Sequence, residues 1–290
     1  MELWLLYAAG AAIFAALTTI LAKIGLKNVD SHLATAVRTI VVAIFAWVIV
    51  LMVGSQGEIG EIGGRTWVFL VLSGLATGAS WLCFFRALKL GEVNKVVPID
   101  KSSTILTMIL AFIILSEPVG LLTVFGMILM GIGTWLMLEI KRGGEEKSPR
   151  RGWLFYAVLA AVFASLTAIF AKIGIVDMEA NLWTAIRTMV VLPLAWLMVF
   201  KTGGQRQIKA VDGKSWVFLV FSGLATGVSW LLFYHALQIG RASHVVPIDK
   251  LSIVLTMIFA RLFLGERFSK QSLVGLVVLT FGTLLPVITT

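Results

Sequence analysis

One cysteine, Cys83, stands in the whole chain, so no intramolecular disulfide can form. Histidine is scarce as well: His32, His235 and His244 show no ligand spacing, and no metal site is expected. There is no Walker sequence, and no Ser/His or Cys/His arrangement recurs between helices. Neither nucleotide-driven work nor nucleophilic catalysis is therefore expected, and no cofactor is called for. No basic segment precedes the first apolar run (Met1-Glu2 only), so a cleaved signal peptide is not expected. Charge is thin, at 13% of residues. A soluble protein carries roughly 25%.

Long apolar runs take the place of charge. Leu3–Ala22, Thr66–Phe85, Pro118–Leu138, Gly152–Ala171 and Gln271–Thr290 are each about 20 residues of nearly uncharged sequence, enough to cross hydrocarbon as a helix. The expected fold class is an all-α membrane protein with ten transmembrane helices. These are read at 3–26, 32–53, 66–89, 96–116, 119–140, 153–175, 181–200, 215–239, 244–264 and 270–288. The net charge of +9 then reads as a positive-inside bias, not as a nucleic-acid surface.

The chain repeats itself at an offset of 149 with no gap. Trp67–Phe85 matches Trp216–Tyr234 at 15 of 19 positions, and Thr18–Gly25 matches Thr167–Gly174 at 6 of 8. A charged, Gly- and Pro-containing stretch separates the copies. The expected division is 1–141 for the first five-helix repeat, 142–152 for a cytoplasmic linker and 153–290 for the second repeat. Five is odd, so the second copy must lie inverted. The loops agree. With the linker in the cytoplasm, fifteen Lys and Arg fall on that side and two, Arg65 and Arg241, on the other. Homologous loops have exchanged their charge: Glu58 and Glu61 in one face Arg206, Lys209 and Lys214 in its copy. Both termini are expected outside the cytoplasm, in a multi-pass protein of the cytoplasmic (inner) membrane.

An inverted repeat lets one fold reach inward- and outward-open states of similar energy, which favours a carrier. The first site candidates are Asp100 and Asp249, each in a Val-Val-Pro-Ile-Asp-Lys stretch that opens an apolar run. An acid there either binds substrate, takes a proton, closes a gate, or complements a helix start after Pro98 or Pro247. Lys101 and Lys250 sit one residue on, about 100° around the helix, so one member of each pair faces the cavity. Lys23 and Lys172, with Arg38 and Arg187, gather on the same side as the aspartate of their half. Lys23–Asp100 and Lys172–Asp249 are expected to close opposite gates; interfacial snorkelling is the plainer alternative for the lysines and arginines. The positive excess suits an anionic or zwitterionic solute.

Trp81 and Trp230, with Ser80 and Ser229, either line a cavity or pack between helices; Tyr234, Thr18 and Thr167 are weaker candidates. Gly74, Gly78, Gly223 and Gly227 read as helix-packing surfaces. Glu117 and Glu266 are expected to cap the helices that follow them.

The Gly-Leu-Ala-Thr-Gly-x-Ser-Trp-Leu stretch at 74–82 and 223–231, the Val-x-Pro-Ile-Asp-Lys pattern and Leu-Gly-Glu at 264–266 resemble EamA-type carriers of the drug/metabolite transporter superfamily. Each half is similar to the short five-helix members thought to work as antiparallel pairs. The resemblance implies alternating access through a central cavity lined by helices 1, 3, 4, 6, 8 and 9, and export of small metabolites. Two departures stand out. Ten-helix members are usually placed with cytoplasmic termini, against the loop charges here, and Ser116-Glu117 replaces the Gly-Glu of the motif. The first helix carries Lys23 and no acid, unlike small multidrug exporters. The expected function is a secondary transporter of a small polar metabolite such as an amino acid, working as a monomeric fused pair within membrane lipid. A flippase for a lipid-linked headgroup and a non-transporting membrane scaffold are the alternatives.

Overall fold

The computed structural model describes residues 3–25, 29–90, 99, 102–118, 120–137, 152–264 and 269–288. Their regular elements are helices. In the first half these are α1 (Leu3–Gly25), α2 (Ser31–Val53), α3 (Gly64–Leu90), α4 (Ser103–Ile114) and α5 (Leu121–Met137). The second half supplies α6 (Trp153–Gly174), α7 (Ala180–Thr202), α8 (Gly213–Ile239), α9 (Ala242–Lys250), α10 (Ser252–Leu264) and α11 (Lys270–Ile288). Six, namely α1, α2, α3, α6, α7 and α8, are long and apolar enough to cross a membrane, while α4, α5 and α11 carry shorter apolar stretches. Apolar side chains such as Ile44, Phe125, Phe155 and Phe281 are left on the outside, as a lipid-facing surface requires.

The repeat is legible in the caps. Asp30 accepts the N–H groups of His32 and Leu33 at the start of α2. Its copy Glu179 accepts those of Asn181 and Leu182 at α7. Gly54 and Gly203 end these helices at φ +84° and +76°, left-handed positions that favour glycine. A short 3₁₀ segment follows each, Ser55–Glu61 and Gly204–Ala210. Asp212 caps α8; hydrogen bonds from the Ser215 hydroxyl and backbone hold its carboxyl below the usual range.

The run expected at 244–264 is two helices meeting at Leu251, whose N–H bonds to Ile248 O at 3.0 Å. Its counterpart Ser102 does the same to Ile99 O at 3.2 Å. Bonds of this i→i+3 kind tighten the turn and re-aim the helix behind each Pro-Ile-Asp-Lys stretch. Asp100, Lys101 and Glu266 lie outside the described residues, and of Lys250 only the backbone is described.

Helices pair across the halves. The most extensive contacts are α3 with α6, α1 with α8, and α5 with α11, followed by α2 with α7. Trp4 of α1 lies at Gly240 just beyond α8, while Gly25 at the other end of α1 meets Phe218 and Leu219. α1 and α8 are thus antiparallel. So are α3 and α6, where Ser80 bonds Ala160 and Phe69 lies against Gly174. The glycines set the depth of the remaining contacts. Gly74 and Gly78 of α3 receive Val190 and Leu194 of α7, and Gly223 and Gly227 of α8 receive Val41 and Phe45 of α2. At the α5–α11 crossing, Gly133 and Gly282 put backbone against backbone.

Candidate functional site

A cavity of about 310 Å³ lies between the halves. Its wall comes from α1 (Ala15), α3 (Thr77, Ser80, Trp81), α4 (Ser103, Thr107), α6 (Ala164, Thr167, Ala168), α8 (Ser229, Trp230, Phe233, Tyr234) and α9 (Val246, Asp249). Arg187 of α7 completes it. Of the residues singled out from sequence, Ser80, Trp81, Thr167, Arg187, Ser229, Trp230, Tyr234 and Asp249 therefore meet in one place.

Arg187 does not snorkel to an interface. It is 2% exposed, seven residues into α7. Its Nε donates to Ser73 Oγ at 3.1 Å and its Nη2 to Thr77 Oγ1 at 2.6 Å, both on α3. Trp230 and Tyr234 cover the guanidinium, with ring centroids 5.3 and 5.1 Å from Cζ, the geometry of a cation–π contact. The repeat makes this tie twice: Arg38 Nη2 donates to Thr226 Oγ1, the copy of Thr77, at 2.9 Å. Arg38 is half-buried and does not line the cavity.

The cavity hydroxyls are largely spent on backbone. Ser80 donates to Ala160 O and Ser229 to Ala11 O, fastening α3 to α6 and α8 to α1. Thr167 and Thr107 donate to carbonyls one turn back in their own helices. Thr18 sits against Thr226 at 3.2 Å, outside the cavity wall.

Beyond Tyr234 a cluster of polar contacts ties α6 to the end of α8. The Lys172 ammonium donates to the carbonyls of Leu237 (2.6 Å), Gln238 (3.3 Å) and Gly240 (2.6 Å), at the end of α8. Gln238 Nε2 in turn donates to Ile175 O and Met178 O. Lys172 here is a helix C-cap supplied by another helix. Its copy Lys23 is exposed.

Glu117 departs from expectation. Its two carboxylate oxygens accept the N–H groups of Ala242 (2.8 Å) and Ser243 (2.9 Å), so it caps α9 of the other half and not the helix that follows it. The reason is local: the N-cap residue of α9, Arg241, has no acceptor to offer. Glu117→Gln should lower stability by about 1 kcal/mol, because an amide keeps one acceptor and turns an N–H donor toward another. The midpoint of thermal unfolding in detergent would read this.

Sequence reasoning missed Ser73, Thr77, Ser103, Thr107 and Gln238. A signal was present: Ser73/Thr77 and Ser103/Thr107, four apart on one helix face, recur at Ser222/Thr226 and Ser252/Thr256.

The chain matches the EamA-like transporter family twice, over residues 2–139 and again over 151–288. It belongs to that family. A Sinorhizobium protein described as an uncharacterized transporter in the cobO 3′ region is 44% identical over 135 residues, which is 47% of this chain but 96% of that protein. A single repeat of the EamA-like kind thus stands as nearly a whole protein there. An uncharacterized transporter of Archaeoglobus fulgidus is 26% identical over 278 residues, covering 95% of this chain and 94% of its own. A crystal structure superposes with TM-score 0.75 at 15% identity, over 97% of this chain and 96% of that one, and shares the fold. This EamA-like chain is a multi-pass membrane transporter made of two repeats.

Proposed function

We propose that the chain is a secondary carrier that moves a small polar metabolite by alternating access, in the direction of export. The single observation that carries this is the cavity between the repeats, whose wall holds hydroxyls, Arg187 and Asp249. Antiparallel α1–α8 and α3–α6 contacts support halves of opposite orientation, since helices 1 and 3 of a five-helix unit run the same way. Ten spans follow if α9 and α10 cross as one broken helix. The loop charges put residues 142–152 in the cytoplasm and both termini outside. The end at which Lys172 ties α6 to α8 then faces outward. An amino acid is among the solutes of suitable size and charge, and one chain supplies both halves of the site.

Counterflow in proteoliposomes tests the reading. With pooled labelled amino acids and organic acids, wild type should exchange at least one solute. Asp249→Asn should slow that exchange about 10-fold or more, because Asp249 is an acid on the cavity wall and intramembrane acids are held for use. Failure to exchange any soluble solute would overturn the proposal. Competition by lipid would then favour a flippase.

A further inference from the structure

We propose that the Nη1 nitrogen of Arg187 anchors the carboxylate of the carried solute, whose far end bears hydroxyl or ammonium donors. The inference rests on the carrier reading above and names its substrate class.

Three of the five guanidinium N–H groups sit on nitrogens already engaged, Nε with Ser73 and Nη2 with Thr77. These two bonds hold α7 to α3. Nη1 is buried and has no hydrogen-bond partner. A buried, charged donor left unmade is costly. It belongs to a side chain that lines the cavity, fixed by two hydroxyls and two aromatic rings. Such a group is pre-organised for an oxyanion.

The rest of the wall has the opposite polarity. Ser80, Thr107, Thr167 and Ser229 give their protons to backbone carbonyls, so they present lone pairs inward. Asp249 lies on the same wall. A donor pole at Arg187 thus faces acceptors. A dianion such as phosphate would meet a single spare guanidinium nitrogen. A monocarboxylate with hydroxyl or ammonium groups satisfies both poles.

Binding to the purified protein in nanodiscs tests this without a gradient. The probes are glycolate, glycerate and 3-phenyllactate, their neutral amides, and inorganic phosphate, read by thermal unfolding midpoint and equilibrium dialysis. At least one acid should bind saturably, and its amide at least 10-fold more weakly. Arg187→Gln should weaken the acid about 10- to 100-fold, the size of a lost charge-assisted hydrogen bond, with Arg187→Lys between. Should Arg187→Gln fail to fold, the acid–amide comparison on wild type decides alone. Equal binding of acid and amide, binding unchanged in Arg187→Gln, phosphate in preference to every acid, or no acid bound at all would each overturn the proposal. An acid that binds but never exchanges in proteoliposomes would leave the anchor standing and sink the carrier reading. Exchange of a solute without a carboxylate, when no acid binds, would do the reverse.

Discussion

Gly282→Val is expected to lower the unfolding midpoint steeply, at a cost of about 3 kcal/mol, the upper end for overpacking a closed contact. A Cβ built on Gly282 would stand 2.7 Å from Gly126 O and from Met130 N, both backbone atoms. The reciprocal face is the same: Gly133 would press on Leu279 N and Cα and on Gly275 O. Backbone cannot rotate away as a side chain can, so α5 and α11 must separate. Membrane helices gain little from hydrophobic burial against one another. Close approach of small residues is most of what joins them. Pushing this pair apart therefore removes much of its contact energy. Gly78→Ala should cost less, because the atom it meets first is a terminal methyl of Leu194. Gly74→Ala should fall between, since Val190 Cβ lies at 2.8 Å. Gly57→Ala, with nothing within 4 Å, is the control expected to leave the midpoint unchanged. Monodispersity and thermal unfolding of the four variants in one detergent would rank them. A midpoint for Gly282→Val equal to that of Gly57→Ala would refute the backbone-contact account.

The ordering of these glycines shows what the sequence could and could not say. Gly133 and Gly282 are visible as repeat partners. That Gly133 meets Gly275 and Leu279 while Gly282 meets Gly126 and Met130, and that Gly74 meets the seventh helix and not a helix of its own half, is not visible. Two near-identical copies leave every pairing ambiguous between partners within a half and partners across halves. Closure in three dimensions resolves it, through contacts that no local pattern encodes. The same ambiguity hid the role of Glu117, whose ligands lie 125 and 126 residues away. The helices themselves were legible, because apolar length and loop charge are local quantities. The short 3₁₀ segments were not, since Ser55–Glu61 has neither helical period nor apolar content. Arg187 was found as a candidate, but its depth was not. Position near a helix start suggested the interface; Ser73 and Thr77, four apart on a helix of the other half, draw it inside.

Lys172→Met is expected to free the end of α8 from α6 and slow exchange about 10-fold or more. The ammonium has three N–H groups and three carbonyls receive them. Methionine keeps the length of the side chain but none of the donors. The carbonyls of Leu237 and Gly240 would lose charge-assisted bonds worth about 1.5–3 kcal/mol each in net terms, and α6 would lose its hold on the end of α8. A cysteine at Val246, on the cavity wall, should report the change in a Cys83→Ser background. Its reaction with a membrane-impermeant maleimide applied outside should rise at least 10-fold in Lys172→Met. Gln238→Leu, which loses two weaker bonds to Ile175 and Met178, should give a smaller rise. Lys172→Arg is the more telling variant. A planar guanidinium keeps the charge but cannot converge three donors on three carbonyls from one point. If charge alone closes this end, Arg should behave as wild type; if the convergence of donors closes it, Arg should leak nearly as Met does. The count also bears on the expected Lys172–Asp249 latch. With all three donors on carbonyls, the lysine can reach Asp249 only by releasing the end of α8.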